Sequence, residues 1–242
     1  MGERRRKQGP ARKAPPRRRR AGGSGLHLNL YLNKAQTILA GAICLVLLGG
    51  MFGLGWFLGV ESTQFHGSVL LVNDSHRLDA DYVPEGLVNL YNQRHSFRLA
   101  SSEIYLAREC YEPMEKMFAA AEKANMNGFI VTSGYRSYER QAEVFAESEP
   151  GKAQQPGASE HQTGLAFDVT VETGDGFENT PQYAWLQDNA HKYGFIQRYP
   201  ANKADETGIS YEPWHYRSVG VKAATQIWKR GVTLETFLSE NS

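Results

Sequence analysis

Charge is absent from one long stretch of this 242-residue chain: from Ala35 to Val60 there is no Asp, Glu, Lys or Arg. Acid is scarce before it, Glu3 standing alone against 11 Lys and Arg in residues 1–34. The overall charge of +1 conceals the arrangement, because segments 1–34, 35–60 and 61–242 carry +10, 0 and −9. An uncharged run this long exceeds the roughly 20 apolar residues a spanning helix needs. It also exceeds the ~7–15 apolar residues of a cleavable signal, and no small-residue cleavage site follows it. The expectation is a basic, disordered cytoplasmic tail (1–34), a transmembrane helix (35–60), a linker (61–66) and an extracytoplasmic domain (67–242). That makes a single-pass protein of the cell membrane with its bulk outside. Trp56 and Phe57 fall near the outer end of the span, where interfacial aromatics are favoured.

Cysteine is scarce as well. Cys44 lies in the span and Cys110 in the exterior domain, so a disulfide framework is excluded and an exported domain must rely on its core or on a bound ion. The exterior domain has no S-x-x-K, which argues against a serine penicillin-binding enzyme, and no G-x-S-x-G elbow. Its −9 charge gives no sign of a nucleic-acid partner. The basic tail is accounted for by topology and by attraction to anionic lipid.

Within the exterior domain, Ser68–Asn73 reads as a strand and Asp81–Pro84 as a turn. Apolar residues recur at helical spacing from Ile104 to Ala121 between Ser102 and Asn125, with Pro113 as a point of interruption. Phe129–Thr132 is a short strand, Ser137 an N-cap for a helix burying Val144 and Phe145, and Leu165–Val171 an alternating strand. Pro181–Tyr193 reads as a helix, Gly194–Gln197 and Trp214–Val219 as strands, and Lys222–Arg230 as a closing helix. Short strands among helices without a βαβ rhythm imply an α+β domain, helices packed on a small central antiparallel sheet.

Three clusters are polar beyond what packing requires. In Ser133-Gly134-Tyr135-Arg136-Ser137 an apolar strand runs through a Gly turn into a helix start, presenting Arg136 beside backbone N–H groups, a setting that suits a carboxylate. A capped helix with a surface Arg reads the same way. In Ser159-Glu160-His161-Gln162-Thr163-Gly164-Leu165-Ala166-Phe167-Asp168, an Asp sits inside an apolar strand and is costly there unless paired or metal-bound. The plainer alternative is an Asp that points to solvent. In Tyr211-Glu212-Pro213-Trp214-His215-Tyr216, Pro213 excludes a helix, so this is not the helical His-Glu-x-x-His motif, but a strand start or bulge still places Glu212 and His215 together. Two His and a carboxylate make a catalytic zinc set with one position open. A second, non-ligating carboxylate then moves the proton, and Glu212 is the candidate.

The combination SGYRSYERQ (133–141), SEHQTGLAFD (159–168) and EPWH (212–215) resembles the VanY-type zinc D-alanyl-D-alanine carboxypeptidases, whose pattern is S-x-H-x-x-G-x-A-x-D followed by E-x-W-H. The resemblance runs from about Leu70 to Gly220, including LLVND and DYVPEGLV; Asp74 stands where relatives often carry Lys. It implies a hedgehog/DD-peptidase-like fold and a Zn2+ cofactor held by His161, Asp168 and His215. It implies Glu212 as general base and acid, and Arg136 on the carbonyl oxygen or the substrate carboxylate. Gln141 and Ser159 would contact the terminal D-residue of a peptidoglycan stem peptide. An L,D-carboxypeptidase, an endopeptidase or a non-catalytic wall-binding module that keeps zinc for structure are the alternatives. His27, His66, His76, His95 and His191 lack partner motifs and read as surface or structural, and Trp214 as packing beside His215.

Overall fold

The computed structural model describes residues 69–149, 153–173 and 176–241. The tail, the expected transmembrane segment, the linker and the first two residues of the exterior domain lie outside the described residues. Among the described residues no helix is long and apolar enough to cross a membrane.

The order is β1 (Leu87–Asn89), β2 (Arg98–Leu99), β3 (Tyr105–Ala107), α1 (Arg108–Lys123), β4 (Phe129–Ser133), α2 (Tyr138–Glu147), β5 (Ala166–Val171), α3 (Pro181–Asn189), β6 (Phe195–Tyr199), α4 (Ala204–Thr207), β7 (Glu212–Ser218), α5 (Val221–Arg230) and α6 (Leu234–Ser239). β1 and β3 form a two-stranded sheet, and the central sheet runs β2-β4-β5-β7-β6. The α+β class is as expected, but the central sheet is mixed rather than antiparallel: β2 lies parallel to β4. The reason is the connection between them, which passes through β3 and the 16-residue helix α1, long enough to return the chain in the same direction.

Helical spacing is real only from Arg108 onward. Ile104 and Leu106 belong to the β3 hairpin region, and Pro113 lies inside α1 without stopping it. Cys110, Tyr111, Met114, Met117, Phe118 and Ala121 form the helix's buried stripe on both sides of the proline, and that burial outweighs the missing N–H. Ser68–Asn73 is not a strand over its described residues; an isolated bridge joins Asn73 to His76. Sheet and helix meet at Phe118, whose ring packs against Phe97, Phe129 and Phe167 with centroids 5.1, 4.8 and 6.0 Å away.

Alternation along β5 then decides the site. Phe167, Val169 and Val171 enter the core on the α1 side, so Asp168 points to the opposite face. Register sets Asp168 directly opposite His215 on β7 and opposite Ser133 on β4. A second cluster, Ile196, Val219, Ala223, Ala224, Ile227, Leu234 and Phe237, packs α5 and α6 against the β6 end, with Val69 and Leu71 against it. The sequence pattern does not reveal β1, β2 or α6.

Candidate active site

His161 leaves the chain in a buried 3-10 turn, Glu160–Thr163, which Gly164 ends in the left-handed region at φ 67°. Its Nδ1 lies 2.7 Å from the Gly134 carbonyl, and the Arg136 N–H donates back to the His161 carbonyl at 3.2 Å. Nδ1 therefore carries the proton toward a backbone acceptor and Nε2 is the free lone pair, 3.3 Å from Asp168 Oδ2. His215 Nδ1 stands 2.9 Å from Asp168 Oδ1, and the two imidazole rings meet edge-on with centroids 4.9 Å apart. One donor atom each from His161, Asp168 and His215 falls within 4.8 Å of the others. Two imidazoles and a carboxylate in that space fit a zinc ion with room for solvent.

Glu212 is three residues before His215, a spacing that in a regular strand would put it on the other face. The register between β6 and β7 shifts here: Gln197 pairs with Tyr216, yet Tyr199 pairs with Glu212. This bulge, at buried Pro213, turns Glu212 inward until Oε2 is 4.0 Å from His215 Nδ1. Arg136 is pinned at Nη1 by Gln141 Oε1 (2.7 Å) and at Nη2 by Ser133 Oγ (3.1 Å). A cavity of about 280 Å³ collects all seven sequence-predicted residues, Arg136, Gln141, Ser159, His161, Asp168, Glu212 and His215. Gln141 is a strut within it, since its Nε2 donates to the Gln154 carbonyl (2.7 Å) while its Oε1 holds Arg136. Helix α2 buries Gln141 rather than the expected apolar pair: Val144 is half-buried and Phe145 exposed. Trp214 is not a packing residue; it is 43% exposed at the cavity wall, because the bulge turns it away from the core. His191 is structural, stacked on Trp228 with centroids 4.0 Å apart.

Sequence reasoning passed over three contributors. Tyr199 lines the cavity and its hydroxyl accepts from Gln154 Nε2 at 3.0 Å. Glu160 and Arg198 are fully buried, with Arg198 Nε donating to Glu160 Oε1 at 2.8 Å. Glu160 sits at a variable position of the zinc-peptidase pattern and Arg198 in an ordinary-looking strand, so only the packing marks them.

Burial works against the charged form of every group here; the partners outweigh it at Asp168 and His215, and burial wins at His161 and Glu212. Asp168 is raised by burial, yet His161 and then His215 drive it well below the usual carboxylate range. His161 is pushed down, burial outweighing Asp168. His215 is also lowered by burial, but its hydrogen bond to Asp168 and the Glu160 carboxylate beside it win and hold it at about 9. Glu212 is raised, burial exceeding the pull of His215. A histidine must lose its proton to ligate, so zinc uptake near pH 7 should release close to one proton, and apparent affinity should rise about tenfold per pH unit until about pH 9. Calorimetry in buffers of different ionisation enthalpy checks this; zinc uptake near pH 7 without proton release contradicts it.

Gly134 has no tolerance for a side chain. An added Cβ would overlap the Tyr105 carbonyl oxygen and come within 2.9 Å of Ile104 Cγ2. Because the Gly134 carbonyl orients His161, Gly134→Ala should cost about 1–3 kcal/mol in stability and weaken zinc binding together. Thermal unfolding and a zinc titration of the same variant measure both.

An α+β domain with a His, Asp, His donor set and an inward glutamate beside it defines a metallopeptidase-type site. The comparisons make that specific. Residues 103–221 match the family model "VanY: D-alanyl-D-alanine carboxypeptidase". The Bacillus subtilis protein YodJ, which carries a carboxypeptidase name, is 39% identical over 196 residues, 75% of this chain and 71% of that one. Across the first curated relatives it matches, the chain spans 59% to 71% of their length. The LdcB LD-carboxypeptidase superposes with a TM-score of 0.62 at 39% identity, covering 70% of this chain and 84% of its own. A variant of the vancomycin-resistance D,D-pentapeptidase VanY, solved with Zn(II), superposes with a TM-score of 0.60 at 34% identity, covering 71% and 98%. The chain belongs to the VanY family of D-alanyl-D-alanine carboxypeptidases.

Proposed function

We propose that this protein is a membrane-anchored, extracytoplasmic zinc D,D-carboxypeptidase that removes the terminal D-alanine from peptidoglycan stem peptides. The observation that carries the reading is the bulge that brings Glu212 beside the His161, Asp168 and His215 donor set without making it part of that set. His161 Nε2, an Asp168 carboxylate oxygen and His215 Nδ1 would hold zinc, which when bound lowers the pKa of water and polarises a carbonyl. Glu212 accepts the proton of the attacking water and returns it to the leaving amine. Arg136, with two of its five donors given to Gln141 and Ser133, presents the remainder of its guanidinium to the substrate's terminal carboxylate or scissile carbonyl. Gln141 serves that contact by fixing Arg136, and Ser159 borders the place of the terminal residue.

The uncharged stretch Ala35–Val60 behind a tail of +10 supports a single span with the catalytic domain outside. Resistance to alkaline extraction from membranes, with protease reaching the domain from the outer side, tests the anchor.

A second reading is favoured by the match to the LdcB LD-carboxypeptidase: trimming of a tetrapeptide rather than a pentapeptide. Mass spectrometry after incubation with each peptide separates them. Loss of one alanine from the pentapeptide alone supports the D,D reading, and conversion of tetrapeptide to tripeptide overturns it. No release from either, with zinc bound, overturns both carboxypeptidase readings, and cleavage of cross-linked peptidoglycan then separates an endopeptidase from a non-catalytic wall-binding module.

A further inference from the structure

His161 and His215 face the same donor position through different nitrogens, and different acceptors stand behind them. Behind His161 is the Gly134 backbone carbonyl. Behind His215 is a side chain: Nε2 lies 3.5 Å from Glu160 Oε2, and among the described residues neither atom has another hydrogen-bond partner. Glu160 is fully buried, as are the two arginines on its other oxygen, Arg198 at 2.8 Å and Arg217 at 3.0 Å. Arg198 continues outward to the carboxylate of Glu235 on α6 through Nη1 and Nη2. Arg217 Nη2 donates to the Leu70 carbonyl at 2.8 Å.

We infer that Glu160 is the positioning residue of the metal centre: its free carboxylate oxygen accepts from the Nε2–H of His215, turns Nδ1 toward the metal, and is itself held by an Arg198–Glu235 tie to the last helix. The inference rests on the proposed zinc reading of the site. A carboxylate paired with two guanidiniums offers acceptors and no donor, so the imidazole opposite Oε2 has to be the donor. Nδ1 donates to Asp168 at 2.9 Å; where a metal takes the place of that proton, the proton kept on Nε2 leaves the lone pair on Nδ1, where Asp168 and the His161 nitrogen converge. Carboxylate support of this kind fixes the ring's orientation and raises its basicity as a ligand. Arg198 divides its charge between Glu160 and Glu235, and Arg217 supplies the rest of the compensation a carboxylate needs at this depth. Through Glu235, the C-terminal helix thereby bears on a ligand it never touches.

The test uses the full-length protein. Glu160→Gln keeps the volume but presents an amide that has to choose between the arginines and the imidazole. Its zinc affinity, read by chelator competition, should fall about 10- to 100-fold, and the visible spectrum of the cobalt-substituted protein should change. Glu235→Gln should give a smaller loss in the same direction. A core role alone would lower the unfolding temperature of metal-free and zinc-loaded protein alike with the zinc affinity of wild type, and that result overturns the inference while leaving the zinc reading intact. Wild-type protein that binds no zinc overturns both. If Glu160→Gln does not fold, the zinc-loaded wild type decides: nitrogen-15 NMR should show a slowly exchanging proton on His215 Nε2, and its absence sinks the proposal.

Discussion

Glu212→Gln is expected to keep its zinc and lose D-alanine release by about 10²- to 10⁴-fold, the contribution of a positioned general base and acid. Gln is isosteric and accepts hydrogen bonds, but it cannot take a proton. Metal content should not change, since Glu212 stands 4.0 Å from His215 Nδ1 and outside the donor set. Burial raises the Glu212 pKa above the ordinary carboxylate range, which improves it as a base toward neutrality. The sign follows for pH: the base works only when ionised, so wild-type activity falls on the acid side at a pH above that of an ordinary glutamate. The residual activity of the variant lacks that limb. Release assays and metal analysis across pH test both statements, and wild-type rates in the variant remove Glu212 from the chemistry.

The largest expected effect on stability is at Arg198. Arg198→Met removes a guanidinium that holds Glu160 and Glu235 at once, with the Arg198 and Glu160 side chains both 0% exposed. Breaking a buried pair from one side costs about 3–5 kcal/mol, because the partner's charge stays behind in a low-dielectric interior. Against a total stability of about 5–15 kcal/mol, that is a severe loss. Arg98→Ala is the control: its pair with Glu172 is 63% and 75% exposed, and about 0.5 kcal/mol or less is expected. Denaturant unfolding of the two variants measures the contrast. Equal losses would mean that the Glu160 cluster contributes no more than a surface pair.

Much of the site was legible in the residue order. An aspartate inside the apolar run Ala166–Val171 is costly without a partner, and the structure supplies two imidazoles. Pro213 excluded the helical zinc motif and allowed a bulge, and a bulge is what turns Glu212 inward. Helical spacing misled before Arg108, because Ile104 and Leu106 bury equally well from a hairpin and three-residue strands are too short to show their own period. Trp214 beside a ligand suggested packing, and Val144 with Phe145 suggested a buried face. Both expectations fail: Trp214 and Val144 line the cavity, and Phe145 is exposed on α2 outside it. The parallel pairing of β2 was hidden because a two-residue strand has no pattern to read.

By itself the sequence determined the three donors and their order, a further carboxylate, Glu212, close to one of them, and the uncharged segment ahead of the domain. Those follow from residue types whose chemistry shows within short motifs, however far apart the motifs lie. The tertiary structure alone decided which imidazole nitrogen each histidine offers, that Gln141 supports Arg136, and that Glu160, Arg198, Arg217 and Glu235 form one buried group. The members of that group come from β6, β7, α6 and a 3-10 turn, and the direct pair of Glu160 and Arg217 lies 57 residues apart in the chain. A charge becomes decisive only when packing removes water from around it, and local sequence does not record how deep a residue will lie.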